Sequence, residues 1–162
     1  MYFFTADEHY SHKKIIEYCD RPFKTIEDMN ETLITNHNQV VGRDDITIHA
    51  GDFCWCKNRL DALQFIQRLN GNHIFLKGSH DHWLPASAKF IWRKELYGKF
   101  IVVCHYAMRT WERAYHGSWQ LYGHSHGRLK PDHNQLDIGV DCFNFYPVSF
   151  TEVSGVINKM KG

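Results

Sequence analysis

Residues 2–9, Tyr2-Phe3-Phe4-Thr5-Ala6-Asp7-Glu8-His9, carry the pattern from which the fold is read. Tyr2 to Ala6 is too short for a buried helix and lacks helical spacing, so it is expected to be a buried strand. It breaks into three chemically active side chains. The pattern repeats downstream. Asp45 to Ala50 is a second strand-like run and ends at Gly51-Asp52. Asn72 to Lys77 is a third and ends at Gly78-Ser79-His80-Asp81. Helical segments separate the three. Ser11 is placed to cap a short helix through about Tyr18. Thr25 and Asp28 form a capping pair ahead of Ile26, Met29, Leu33, Ile34, His37, Val40 and Val41, which recur at helical spacing up to Gly42. Leu60, Leu63, Ile66 and Leu69 are expected on one face of another helix, stopped by Asn70-Gly71. The order β-α-β-α-β predicts parallel strands joined by crossover helices.

The second half has strand-like runs at Phe100 to Cys104, Trp119 to Tyr122, Leu136 to Val140 and Cys142 to Phe145. No long helix separates them, which predicts antiparallel pairing. A last helix is expected from about Phe150 to Lys159. The first and second of these strands again end on chemistry: His105, and Gly123-His124-Ser125-His126-Gly127. Strand ends of a twisted sheet converge on one edge, so groups far apart in sequence become neighbours.

Composition bounds the answer. The chain has 162 residues, 43% hydrophobic and 15% aromatic, which predicts a single domain over residues 1–162 with a sizeable core. Nineteen basic against eighteen acidic residues leave a net charge of +1. No strong electrostatic signature for nucleic acid follows from that balance. Five irregularly spaced cysteines and an N-terminus without a basic, apolar leader predict reduced thiols in the cytoplasm. Cys54-Trp55-Cys56 has no second cysteine pair at zinc-finger spacing, so a structural zinc is not expected. No run is long enough to span a membrane.

Twelve histidines are the informative count, because several stand beside Asp or Gly at strand ends. In extended backbone, residues i and i+2 point the same way. Asp7 with His9, and His124 with His126, are therefore expected to face one way in pairs. Asp52 offers two oxygens to two ions, and His105 adds a nitrogen. A mixed nitrogen and oxygen set suits Mn, Fe, Zn or Ni better than Ca or Mg. Two such cations roughly 3.5–4 Å apart lower the pKa of a bridging water and neutralise charge on phosphoryl oxygens. His80 is the candidate proton donor to the leaving oxygen, and Asp81 the candidate orienter of its ring. His12, His37, His49, His73, His116 and His133 are read as packing or surface residues, and Glu8 as pointing away from its neighbours' ligand site.

Asp-x-His, Gly-Asp, a Gly-x-His-Asp block, a lone His and Gly-His-x-His, in that order, resemble the signature of the calcineurin-like metallophosphoesterases. The resemblance spans residues 5 to about 140. It implies an α/β fold, a four-layer α-β-β-α sandwich of two mixed sheets flanked by helices, with the metal site at strand C-terminal ends. It implies two divalent metal ions, Mn first and Fe, Zn or Ni otherwise. Asp7, His9 and His126 would hold one, His105 and His124 the other, and Asp52 would bridge them. His80 would be the catalytic histidine. The third block departs from the family, which has Asn as a ligand of the second metal where this chain has Ser79.

The expected function is metal-dependent hydrolysis of a phosphate ester, a phosphodiester first and a nucleotide-like substrate among the options. Phosphomonoester hydrolysis, a small nuclease, and a metal- or phosphate-binding member weakened by Ser79 are the alternatives. Trp55 and Trp83 follow metal blocks and are candidates for the cleft wall. Arg109 and Arg128 are candidate phosphate contacts.

Overall fold

The computed structural model describes residues 1–130 and 132–161. The first sheet takes its strands in the order β3-β2-β1-β8: β1 is Tyr2–Thr5, β2 Ile46–His49, β3 Asn72–Phe75 and β8 Val148–Ser149. β1, β2 and β3 run parallel, as the alternation with helices predicts, and β8 lies antiparallel to β1. Phe4 pairs with Ile48, and Ile48 with Ile74. These rows face a second sheet across a core that includes Ile101, Val103, Leu121, Leu136 and Ile138.

The second sheet has the order β4-β5-β6-β7, with β4 at Ile91–Leu96, β5 at Lys99–Cys104, β6 at Trp119–Tyr122 and β7 at Gln135–Asp137. Here the expected antiparallel pairing is corrected. Only β4 and β5 are antiparallel; β5–β6 and β6–β7 are parallel. A parallel crossover needs roughly a dozen residues, not a helix. Residues 105–118, with a 3₁₀ turn at Ala114–His116, and residues 123–134 supply that length. β4 has no counterpart in the sequence reading. It is an edge strand, largely exposed, so Ile-Trp-Arg-Lys-Glu-Leu shows no clean alternation. A two-residue turn at Tyr97-Gly98, both at positive φ, joins it to β5.

Four helices complete the fold. α1 is only Ile15–Tyr18. Ser11 does not cap it, because Ser11 has φ 63° rather than the extended backbone a cap needs. α2, Ile26–Val40, starts as expected: the Thr25 hydroxyl accepts a hydrogen bond from the Asp28 N–H at 3.0 Å. Its Met29, Leu33 and Ile34 pack with Tyr10 and Phe53 in a second core cluster. α3, Arg59–Ile66, begins at the Asn58 cap. That phase turns Leu60 to solvent at 75% exposure and buries Ala62, so the expected leucine face is corrected by one flank. α4, Phe150–Lys161, opens with a reciprocal box: Glu152 N–H donates to the Ser149 hydroxyl, and Ser149 N–H to the Glu152 carboxylate. The expected strand over Cys142–Phe145 is instead a 3₁₀ turn, Val140–Cys142, running into Asn144 and Phe145 at positive φ. The result is two mixed sheets flanked by helices. Among the described residues no helix is long and apolar enough to cross a membrane.

Candidate metal centre

The ends of β1, β2, β5 and β6 meet on one edge, and backbone bonds lock their trailing loops together. Asp7 N–H donates to Gly51 O, and His9 N–H to Asp52 O, each at 3.0 Å. Gly123 N–H donates to His105 O at 3.0 Å, and His124 N–H to the Asp7 carboxylate at 2.8 Å. Within these loops Asp7, His9, Asp52, His124 and His126 all have positive φ, between 48° and 67°. L-residues seldom adopt that region, and such strain concentrates at functional sites. The expected extended backbone is therefore corrected, although Asp7 and His9 still face one group as a pair. These five residues sit in left-handed kinks, while His105 does not, and His124 and His126 point into different groups.

Two sets form. Asp7, His9 and His126 each bring a ligand-type atom within 4.8 Å of the others, and so do Asp52, His105 and His124. Asp52 joins the sets, with Oδ2 3.3 Å from His105 Nε2 and 3.7 Å from His9 Nε2. Burial supplies a test of whether cations fit. Asp7 Oδ1, His9 Nε2 and His105 Nε2 are buried and have no hydrogen-bond partner. An unpartnered buried polar atom costs about 1–3 kcal/mol, and three around one carboxylate are what a cation-binding pocket requires. The residues fit divalent cations.

Electrostatics agrees. Burial pushes the Asp7 carboxyl up to about 7, against the opposing pull of His126 and His105. Burial also lowers His9 well below the usual imidazole range. His126 goes the other way: burial opposes its charge, but the Asp141 carboxylate raises it to about 10. His105 is likewise raised, with burial outweighed by Asp52 and Asp7.

Close approach fixes two glycines. A Cβ on Gly78 would lie 2.3 Å from Asp52 Oδ1, and one on Gly123 would lie 2.6 Å from Asp7 Oδ2. Gly78 leads into Ser79, whose hydroxyl donates to Asp52 Oδ2 at 2.9 Å. Ser79 thus reaches the centre through the carboxylate common to both sets. His80 donates its N–H to Asp52 Oδ1 at 2.8 Å and holds its ring at the rim, Nε2 3.9 Å from Asp52 Oδ2.

Asp81 does not orient His80. Its carboxylate accepts from the N–H groups of Asp52, Phe53 and Gly78 and from the Trp83 indole, at 2.6–3.0 Å. Both oxygens are spent on bracing the two loops. This correction also assigns Trp83, which is buried behind the centre rather than lining the cleft.

A cleft of about 580 Å³ opens over the centre and includes His9, Asp52, His80, His124 and His126 in its lining. Trp55 and His12 form one wall, stacked at 4.3 Å and 16°. His12 therefore faces the site rather than serving as a packing or surface residue. Arg128 lines the cleft with Lys14 and Tyr18, and its guanidinium donates to the Tyr18 carbonyl. Arg109 is exposed on the loop after His105 and is not part of that lining. Glu8 points away from the ligand site, as its place between Asp7 and His9 predicts, and pairs with His49, which bonds His73. Sequence reading missed Arg21 and Asp141, which bond each other and the centre. Each is a lone charged residue outside the motif blocks, so no spacing announced it.

No protein-family model matches the chain. The chain is 32% identical to the uncharacterized protein MJ1445 of Methanocaldococcus jannaschii, over 96% of this chain and 90% of the archaeal one. It shares its fold with the protein of unknown function AQ665 from Aquifex aeolicus, at TM-score 0.72 and 22% identity, over 96% of this chain and 98% of that chain. A conserved uncharacterized protein of Streptococcus pneumoniae, described as a predicted phosphoesterase, aligns more loosely, at TM-score 0.40 and 16% identity over 77% of this chain and 62% of that one. The chain belongs to one family with the Methanocaldococcus jannaschii protein, and it has the fold of the Aquifex aeolicus protein, with two mixed four-stranded sheets flanked by helices.

Proposed function

We propose that the chain is a metal-dependent phosphoesterase, acting first on phosphodiesters. The observation that carries this reading is the trio of buried, unpartnered atoms, Asp7 Oδ1, His9 Nε2 and His105 Nε2, grouped around Asp52 beneath an open cleft. Asp7, His9 and His126 would hold one divalent cation, His105 and His124 a second, with Asp52 common to both and Ser79 beside it. Two bound cations, Mn in the first instance, supply charge neutralisation for phosphoryl oxygens and acidify water.

The protein's own groups do the rest. Hydrolysis adds the oxygen of water to phosphorus, breaks the ester P–O bond and delivers a proton to the departing oxygen. His80 stands at the rim with its ring reachable from the cleft, placed to give that proton. The Asp52 carboxylate, 2.8 Å from the His80 N–H, fixes the His80 backbone against the centre. The Trp55–His12 wall offers a flat apolar surface, and Lys14 and Arg128 offer positive charge. These features support an ester whose alcohol part is planar and carries a further anionic group, as a nucleotide does. The five cysteines are all free, which supports a reducing compartment such as the cytoplasm.

A second reading has one observation in its favour. The Ser79 hydroxyl already occupies Asp52 Oδ2, in the position of the family's asparagine. A chain so altered would bind metal or phosphate with little turnover. Hydrolysis of bis-p-nitrophenyl phosphate with Mn, Ni, Zn or no metal separates the two. Metal-dependent release of nitrophenol, abolished by EDTA, is expected. On an alkyl ester with a poor leaving group, His80→Ala should cost about 100-fold or more. Absence of metal-dependent turnover in both the wild type and Ser79→Asn would overturn the enzymatic reading.

A further inference from the structure

Outside the two ligand sets, one buried cation ties the centre together. The Arg21 side chain is fully buried in the loop between α1 and α2. Its Nε donates to Asp141 Oδ1 and one terminal nitrogen to Asp141 Oδ2, both at 2.8 Å. The same nitrogen donates to the Asp7 carbonyl at 2.7 Å, and the other terminal nitrogen to the Glu8 carbonyl at 3.1 Å. Asp141 lies in the 3₁₀ turn after β7, and its Oδ2 is 2.7 Å from His126 Nδ1. One guanidinium thus pins three separate segments: the kinked Asp7–Glu8 backbone, the Asp141 turn and, through Asp141, the His126 ring.

We propose that Arg21 and Asp141 are positioning residues that set the affinity of the first cation site alone. This rests on the reading that Asp7, His9 and His126 hold a cation. Asp141 keeps a proton on His126 Nδ1 and so presents Nε2 toward Asp7 and His9. Arg21 holds Asp141 in that pose and fixes the carbonyls of the two residues that aim Asp7. A carboxylate behind a ligand imidazole sets its orientation and strengthens it as a donor. The second site is built differently. His105 Nδ1 is 3.0 Å from the backbone carbonyl of Ala50, and the Asp7 carboxylate stands farther off, at 3.9 Å. The two sites therefore differ in what supports them, and a change at Arg21 or Asp141 should register at only one.

Cys19, His126 and Asp141 also bring ligand-type atoms within 4.8 Å of one another. A third cation there is disfavoured, because Arg21 already takes both oxygens of Asp141 and would repel it. The cluster is a support for His126 rather than a site of its own.

The test is Mn²⁺ binding by titration calorimetry to the full chain and to Asp141→Asn, Arg21→Lys and Arg68→Ala. Arg68 pairs with Glu31 on the surface and serves as the control. Wild type and Arg68→Ala should show two sites. Asp141→Asn should weaken one by about 10–100-fold and leave the other nearly unchanged. Arg21→Lys should do the same, since one ammonium cannot serve a four-bond fork. Unchanged affinities in both variants, or equal loss at both sites, would overturn the proposal. A wild type that binds no Mn²⁺ would instead defeat the reading on which it rests. If the variants do not fold, the His126 ring nitrogens of the wild type decide by NMR. A proton retained on Nδ1 with and without Zn²⁺ supports the assignment; Nδ1 bound to Zn²⁺ refutes it.

Discussion

Replacing Asp81 by alanine should destabilise the fold rather than act directly on proton transfer. Asp81 is 1% exposed, and its two oxygens receive four donors: the N–H groups of Asp52, Gly78 and Phe53 and the Trp83 indole. Alanine leaves all four buried and unpaired. At the lower bound of about 1 kcal/mol per orphaned donor the loss is about 4 kcal/mol. A chain of this size has about 5–15 kcal/mol in total, and each kcal/mol is worth about 2–4 °C in Tm. The metal-free variant should therefore melt about 8–16 °C below wild type. Asp81→Asn keeps the volume and one acceptor oxygen but turns an NH₂ toward N–H donors, so it should recover less than half of the loss. Cation affinity should fall as well, because Asp52 is held through its own backbone N–H. The assay is thermal and urea unfolding of the metal-free forms, followed by metal titration. A Tm within about 2 °C of wild type, joined to a displaced pH–rate profile, would refute the bracing role and restore Asp81 as the orienter of His80.

Three further outcomes are expected. Ser79→Asn should raise occupancy of the second cation and turnover, measured as activity against Mn concentration; equal or lower activity at saturating Mn counts against it. Trp55→Ala should raise KM for aryl diesters by about 5- to 160-fold, from a stacking loss of about 1–3 kcal/mol, and leave methyl esters alone; a uniform loss across esters would remove Trp55 from substrate contact. Acid should destabilise the protein progressively below about pH 6.5. Burial lowers His37, His49 and His73 to about 3, 3 and 4, so between those values and 6.5 the unfolded chain binds more protons. Their contribution is complete above pH 6.5 and is lost as pH falls, with a slope of up to about 4 kcal/mol per pH unit for three groups. Buried Glu8, raised well above its usual range, and Asp7, raised to about 7, work in the opposite direction but are two groups against three. A Tm that holds from pH 7 to pH 4 would contradict this.

The strand ends were legible because polar clusters interrupt apolar runs abruptly. β1, β2, β5 and β6 all stop within one residue of where the run stops, and their ends carry Asp7, Asp52, His105 and His124 to one edge. The direction of β6 and β7 was not legible. Loops can carry a parallel crossover as well as helices can, and composition does not distinguish them. Asp81 was placed in the right block but given the wrong task. Its neighbours His80 and Asp52 suggested chemistry, while the unpaired backbone N–H groups that claim it exist only in the folded chain. Arg21 and Asp141 share no motif, and only the fold brings residues so distant in sequence onto one ring of His126.

The most direct test is anomalous diffraction from crystals grown with Mn²⁺. Two peaks per chain are predicted, one ligated by Asp7, His9 and His126 and one by His105 and His124, with Asp52 contributing to both. An empty centre at saturating Mn²⁺, or cations bound elsewhere on the chain, would contradict the account.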